Sequence, residues 1–539
     1  MPRILICDKL ESQGIQLLQQ AGFELDLRTG LKGDALAAAI QAADGVIVRS
    51  GTRITADLLR EPGKLRTVVR AGVGVDNIDV AAATRQGIVV MNTPGGNTVS
   101  TAEHTITMLM AMSRHVAAAD ASLRAGKWER TKFVGAQLAG KTLGIVGLGR
   151  IGREVARRAT GLDMRIVGFD PFMAPDKAAQ LGIEAVADLD LLLPRCDYVT
   201  VHTPLTDETR HLLDARRLAL LKKGARVLNC ARGGIIEEAA LVQALESGHL
   251  AGAALDVFVE EPPPADHPLL RQPNVVATPH LGASTVEAQV SVAQEAAQLM
   301  IDFLTKGIVQ FAVNMAAVDR TELEELRLYV DLARRLGLMQ AQMCHGTINK
   351  AVLSYRGEVA RRGTKLITAA FTAGLLEHRL AQSVNIVNAE LLARDRGIEV
   401  VEQNNPRKGD FSTLVKAEIT TDKKVYTVAG TLFGDQYLRL VQIGPFHLDA
   451  FLDGISLIFT HRDVPGLIGF IGTIFGKYQV NIAQMTVGRQ QQGGEAIAIL
   501  NLDSQPPEEA LKEVCAHPQI SSTSLVRLPP AGQMPAWFG

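Results

Sequence analysis

Three short segments carry residue types that together could oxidise a hydroxy acid. They are Asn229-Cys230-Ala231-Arg232-Gly233-Gly234, Asp256-Val257-Phe258-Val259-Glu260-Glu261-Pro262 and Thr278-Pro279-His280-Leu281-Gly282. Such a reaction needs a cation for the substrate carboxylate, a base for the hydroxyl proton and an acid to orient that base. Arg232 offers a planar fork that matches a carboxylate. His280 exchanges a proton near neutrality, its ordinary pKa being about 6.5. Glu261, bonded to His280, would fix the ring and favour its protonated form. Taken singly, the three have plainer readings: a structural histidine after a strand, a capping arginine and a solvated turn.

A hydride acceptor must lie beside them. Gly147-Leu148-Gly149-Arg150-Ile151-Gly152 is a GxGxxG loop between strand-like Leu143–Val146 and a helical stretch, Arg153–Arg158, the context the motif requires. Gly147 permits the turn, Gly149 lets a pyrophosphate approach, and Gly152 lets helix and strand pack. Asp170 ends the next strand, 18 residues after Gly152, and no basic residue follows at once. A carboxylate there accepts from ribose hydroxyls and repels a 2′-phosphate, so NAD is favoured over NADP.

These residues need a scaffold that brings strand ends together. Strand signals at Thr142–Val146, Arg165–Phe169, Tyr198–His202, Arg226–Asn229, Gly252–Val257 and Asn274–Ala277 predict a doubly wound, Rossmann-type parallel sheet. Earlier signals at Ile4–Cys7, Val46–Arg49, Thr67–Val69 and Ile88–Met91 predict a second α/β sheet. One long helix is predicted over Val99–Leu123. A helix over Thr285–Leu304 should return to the first sheet, making the nucleotide domain an insertion. The predicted division is 1–96 with 284–314, 97–283, 315–453, 454–529, and a poorly ordered tail, 530–539. Glu322–Met343 reads as an amphipathic helix. Residues from Ile455 to about Leu528 read strand, helix, strand, strand, helix, strand, the ferredoxin-like order.

Composition excludes several classes. Lys plus Arg is 56 against 57 Asp plus Glu, and aromatics are 4%. That balance argues against nucleic-acid binding. No apolar run reaches the ~18 residues of a membrane span, and the N-terminus lacks a signal-peptide pattern. The five cysteines are scattered with no C-x-x-C pair, which argues against a metal site or disulfide framework. A soluble cytoplasmic protein is expected.

GLGRIGREVA, VHTPLTDETR, NCARGGIIEEAAL, GAALDVFVEEP and TPHLGAST together resemble the D-isomer-specific 2-hydroxyacid dehydrogenase family over about 140 residues. The resemblance implies catalysis by Arg232, Glu261 and His280, and ribose binding by Asp170. It also implies cofactor contacts from Arg150, Ile151, Thr203, Cys230, Ala231, Asp256 and Gly282, with Asp256 on the nicotinamide amide. The Glu261–His280 pair speaks against the formate dehydrogenase branch, where glutamine partners the histidine.

The N-terminal third narrows the substrate. The Gly72-Val73-Gly74 turn offers backbone N–H groups to a carboxylate. Arg49 and Ser50 could bind a phosphate, and Asn92 follows nearby. VRSGTRIT, AGVGVDNIDV and GKWERTKFVG resemble the phosphoglycerate-oxidising branch. SYRGEVA, VNIVNAELLARDRGI and LRLVQIGPFHLDAFLDG resemble the intervening domain of its long form, and the terminal unit resembles an ACT regulatory domain. This implies oxidation of a phosphorylated hydroxy acid, 3-phosphoglycerate, with NAD, the committed step of L-serine synthesis. It also implies a homo-oligomer, commonly a tetramer, in which Arg130 and Lys132, beside Trp128, reach a neighbour's site; solvated helix-end charges are the other reading. The rivals are a glyoxylate or hydroxypyruvate reductase, and an NAD-sensing corepressor.

At the C-terminal end, L-serine would need an anion for its ammonium and donors for its carboxylate. Asp463 could supply the first, and His461, Asn481 and a helix start the second. Feedback inhibition by serine is expected, with a purely dimerising module as the alternative. His447, Arg439 and Lys408 are candidates for a further anion site.

Overall fold

The computed structural model describes residues 1–315, 320–380, 383–434 and 436–535. Its first sheet is parallel, in the order Glu24–Leu27, Arg3–Ile6, Gly45–Val48, Thr67–Arg70, Val89–Asn92. Helices cover both faces of such a sheet, so Gly45–Val48 is buried throughout and reads as a continuous apolar run. The edge strand Glu24–Leu27 escapes sequence reading because two of its four residues are acids. Asp26 is instead paired with Arg3 and Arg28, at 2.7 Å each. Helix Val286–Lys306 does return to this sheet, burying Val292, Ala296, Met300 and Phe303. It packs on helix Ser12–Gln20 so closely that a Cβ on Gly14 would lie 2.6 Å from the Ala293 carbonyl oxygen.

The second sheet has seven parallel strands. Their order is Val275–Ala277, Leu250–Leu255, Ala225–Asn229, Tyr198–Val201, Thr142–Val146, Arg165–Phe169, Glu184–Ala185. The chain winds outward from Thr142–Val146 in both directions. The crevice between the C-terminal ends of Val146 and Val201 is therefore the topological switch point, where such sheets bind ligands. The single helix expected over Val99–Leu123 is two, Thr98–Ser113 and Val116–Arg124. His115 between them adopts φ 54°, a left-handed conformation that interrupts the helix.

A six-stranded mixed sheet follows: Glu399–Asn405, Ile348–Gly357, Thr413–Thr421, Val425–Phe433, Tyr437–Ile443, Phe446–Phe451. Helix Arg320–Met343 lies on it beside helix Thr364–Leu376. Gly337 and Gly374 make that crossing possible, since a Cβ on either would overlap a backbone carbonyl of the other helix. The amphipathic expectation fails here, because Val330–Gln340 is buried without a break. The ionised residues of that stretch are paired, Arg334 with Glu377 at 2.9 Å and Arg335 with Asp331 at 2.8 Å.

The last sheet is antiparallel, ordered Ile482–Arg489, Glu495–Leu502, Ile455–Arg462, Ile520–Arg527, with helices Leu467–Lys477 and Glu508–Cys515. This is the strand–helix order expected. The start of the tail is held rather than loose: Arg335 donates to the carbonyls of Pro529 at 2.6 Å and Pro530 at 2.9 Å. Residues 536–539 lie outside the described residues. Among the described residues, no helix is long and apolar enough to cross a membrane, and no His/Cys/Asp/Glu cluster could hold a metal.

Candidate active site

The glycine loop meets three different steric demands. Gly147 sits at φ 95°, and a Cβ there would come 2.7 Å from the His202 carbonyl oxygen. A Cβ on Gly152 would overlap the carbonyl of Gly147, so this glycine sets the helix–strand distance. A Cβ on Gly149 would meet no described atom within 4 Å. It faces open space at the start of helix Arg150–Thr160, where free N–H groups attract phosphate. Asp170 is anchored beside the loop, accepting from the N–H of Leu148 and of Phe172 at 2.8 Å each.

The loop opens into a cleft of about 470 Å³ that also exposes Arg150, Ile151, Thr203, Cys230, Ala231, Arg232 and His280. The Thr203 hydroxyl is buried and has no hydrogen-bond partner among the described residues. A bound dinucleotide would supply one. Burial lowers the His202 imidazole to about 4, keeping it neutral against the cleft. The same effect pushes the Cys230 thiol up to about 12, so it is no nucleophile. These residues fit NAD.

His280 and Glu261 meet as expected, Nδ1 to Oε2 at 2.7 Å. The other Glu261 oxygen accepts from the Phe258 N–H at 3.1 Å. Burial raises the Glu261 carboxyl, but the bond to and charge of His280, with Phe258 and Arg232, outweigh it and hold the group below the ordinary range. With Nδ1 engaged, Nε2 of His280 is the nitrogen left to face a substrate. His280 itself sits at φ 55°, a conformation costing roughly 1–2 kcal/mol for a residue with a Cβ. Its N–H is held by the Asp256 carbonyl at 2.9 Å.

The Asp256 side chain, 1% exposed, accepts from Thr278 Oγ1 at 2.6 Å, Leu281 N–H at 2.7 Å and Gly282 N–H at 2.8 Å. His104 Nε2 lies 3.1 Å from it. Both Asp256 and Gly282 line the cleft, but these polar atoms shape the loop that carries His280.

Arg232 reaches across to the first sheet. Its Nε donates to Asp76 at 2.9 Å and its Nη1 to the Ala231 carbonyl at 2.6 Å. The guanidinium occupies the space a Cβ on Gly74 would need, and Arg70 fills the corresponding space at Gly72. The 72–74 turn is thus glycine-rich because two arginines pack against it. Asn92 closes it, donating to the Val73 carbonyl. Arg70 was missed by sequence reasoning. Burial, then the neighbouring Arg232, lowers its guanidinium to about 10, and its Nε has no hydrogen-bond partner among the described residues. The available signal was its place as the last residue of a parallel strand, where ligands gather. Arg49 and Ser50 follow the neighbouring strand end; Arg49 donates to the Lys9 carbonyl at 3.1 Å, and its charge adds to the pressure on Arg70.

Other predicted residues are not brought together. Arg130 and Lys132 lie on an exposed turn, Arg130–Phe133, outside this cleft. His461 is buried, its Nε2 without a hydrogen-bond partner among the described residues. Asp463 is bound to Arg489 at 2.7 Å, and Asn481 to Asp503 at 2.6 Å. His461 and Arg489 both pair with Ala496, whereas Asn481 precedes Ile482, which pairs with Leu502. That puts Asn481 at the opposite end of the sheet, roughly 20–25 Å away at ~3.3 Å per residue. Within one chain the three cannot share a ligand. Arg439 stacks on Phe451 at 4.0 Å, while Lys408 lies beside Glu358 at 3.6 Å, so the further anion site does not form around them. His447 instead brings its carbonyl against Gly488 of the last sheet.

Known proteins place this architecture. Residues 106–282 match the NAD binding domain of the D-isomer specific 2-hydroxyacid dehydrogenases. Residues 325–444 match the D-3-phosphoglycerate dehydrogenase intervening domain, and 455–519 the ACT domain. Among solved structures, the TT0316 protein from Thermus thermophilus is 37% identical with a TM-score of 0.53, covering 58% of this chain and 99% of its own. A glyoxylate reductase from Paecilomyes thermophila is 30% identical with a TM-score of 0.53, covering 58% and 98%. Over the full length, the D-3-phosphoglycerate dehydrogenases of Methanocaldococcus jannaschii and Bacillus subtilis are 40% and 41% identical, each across 98% of this chain and 100% of their own. The chain belongs to the D-3-phosphoglycerate dehydrogenase family.

Proposed function

We propose that this chain oxidises 3-phospho-D-glycerate at C2 to 3-phosphohydroxypyruvate with NAD, and so opens L-serine synthesis. The observation that carries this is that His280, bonded to Glu261, and Arg232 line one cleft, with the buried cation Arg70 packed against the Gly72-Val73-Gly74 turn at its edge. Arg232 binds the substrate carboxylate. His280 Nε2 takes the C2 hydroxyl proton, and Glu261 steadies the imidazolium through Nδ1. Arg70 and Arg49, with Ser50, receive the phosphate. NAD, when bound, accepts the hydride.

Sequence resemblance supports a homotetramer in which Lys132 and Arg130 serve a neighbouring cleft. L-serine bound between ACT units is supported by the opposed positions of His461 with Asp463 and of Asn481, which two chains could bring together. The five thiols are free and four are buried, which supports a reducing, cytoplasmic setting. NADH formation with 3-phosphoglycerate, glycerate and D-lactate compared side by side tests the substrate. The phosphate ester should be preferred by at least about 100-fold in kcat/KM, the weight of one charge-assisted contact pair. Equal rates on glycerate would overturn the reading.

A further inference from the structure

Asp256 is a buried carboxylate, and the side chain beside it able to carry a balancing positive charge is His104, on helix Thr98–Ser113. That helix begins a few residues after Asn92, the last residue of the first sheet. One face of it grips the catalytic loop. Ser100 Oγ and Thr101 Oγ1 donate to the Gly282 carbonyl at 2.8 and 3.2 Å. His104 Nε2 lies 3.1 Å from both Thr278 Oγ1 and Asp256 Oδ1. Positions 100, 101 and 104 fall together at helical spacing.

The hydrogen-bond inventory fixes the proton on His104. The Thr278 hydroxyl has one proton and gives it to Asp256 Oδ1 at 2.6 Å. Towards His104 it is therefore an acceptor, as is the carboxylate, so Nε2 must carry hydrogen. Nearby charges do not compete, since Glu103 on the same helix is paired with Arg158 at 3.1 Å.

We infer that His104 is a positioning residue for the oxidation, acting through Asp256 on the loop that presents His280. The Asp256 carboxylate holds the N–H groups of Leu281 and Gly282, directly after His280. His104 Nε2 lies beside Oδ1, the oxygen that also accepts from Leu281 N–H and Thr278 Oγ1, while Oδ2 accepts from Gly282 N–H, so the imidazole donor helps fix how the carboxylate is presented. Without that donor the carboxylate turns, the two N–H groups lose a fixed acceptor, and His280 leaves φ 55° for a commoner conformation.

The inference rests on the proposed oxidation, so one arm of its test is independent of activity. Glutamine places its amide nitrogen where Nε2 lies and can still donate; asparagine falls short. Amide exchange by mass spectrometry on the full chain should speed up in segment 278–284 by at least about tenfold for His104→Asn, with segment 142–160 unchanged. His104→Gln should retain protection. With phosphoglycerate, H104N should lower kcat by about 10–100-fold, as misplacement of a catalytic group does. KM for NAD should stay within about threefold, while the deuterium isotope effect from C2 rises because the chemical step has become slower. H104Q should recover kcat to within about fivefold of the parent. Unchanged exchange in H104N, or an H104Q as impaired as H104N, would overturn the inference. A parent enzyme inactive on phosphoglycerate would instead remove the proposed function, and the exchange data would still decide the role of His104.

Discussion

In the catalytic half, Arg70 and Val146 end their strands, and Arg232 and His280 lie within three residues of theirs. Parallel strands all point the same way, so every strand end contributes to one rim. In the ACT sheet the strands alternate in direction, and its polar candidates separate to opposite ends: His461 and Asp463 at one, Asn481 at the other. A parallel sheet assembles a site from its own chain. An antiparallel one of this size leaves its ends apart, so one copy does not bring them to a common ligand. The catalytic half should therefore respond to single substitutions in its chemistry, and the C-terminal half first in its packing.

The sharpest break is His280→Ala. It should cut turnover by about 10³–10⁴-fold, the upper range for a positioned base, while NADH binding, followed by fluorescence, persists. Next is Arg335→Met in the other half. Arg335 is fully buried and binds Asp331 and four carbonyls of other segments. Removing it strands Asp331 and should cost about 3–5 kcal/mol, read as an earlier unfolding of the C-terminal half by calorimetry. A large fall in kcat with unchanged unfolding would contradict the division of labour.

How far the sequence could show this follows the same contrast. Motifs at parallel strand ends were readable because local pattern and site coincide: GLGRIG, NCARGG and TPHLG each name the residue that reaches the cleft. Arg70 stayed hidden because its meaning depends on burial and on Arg232, which is distant in sequence. The break at His115 and the all-round burial of Val330–Gln340 were unreadable for a similar reason. Both depend on what packs against the helix, and helical periodicity reports one face alone. The pairing of Asp463 with Arg489 arises across the sheet, which no local spacing reveals.

Arg70→Met tests whether the missed cation belongs to substrate binding. It should raise KM for phosphoglycerate about 50-fold, the loss of one charged hydrogen bond, and change glycerate oxidation by less than about fivefold. Equal losses on both substrates would place Arg70 in the scaffold instead. A smaller effect concerns pH. The Glu261 carboxyl is held below its ordinary value of 4.5, so its folded pKa lies under its unfolded one. Its contribution to stability is complete above about 4.5 and is lost as pH falls through the folded value. The melting difference between parent and Glu261→Gln should therefore narrow below pH 4.5. With the side chain 38% exposed, solvent screening limits the effect to about 1 kcal/mol or less.

The mildest change is the one most specific to the C-terminal half. The Asp463 carboxyl sits below its ordinary value, chiefly through Arg489, with the Gly493 N–H adding to it. It is ionised at neutral pH with or without that partner, so Arg489→Met frees an anion without altering its charge. A serine ammonium that pairs with Asp463 must displace Arg489 first. Under the proposed regulation by serine, removing Arg489 should then lower the serine concentration for half-inhibition, by no more than about fivefold, the range of a solvent-exposed ion pair. A titration that is unmoved in R489M would take Asp463 out of the ligand set and leave His461 and Asn481 of two chains to hold the amino acid. A titration that weakens would instead make Arg489 itself the contact for the serine carboxylate.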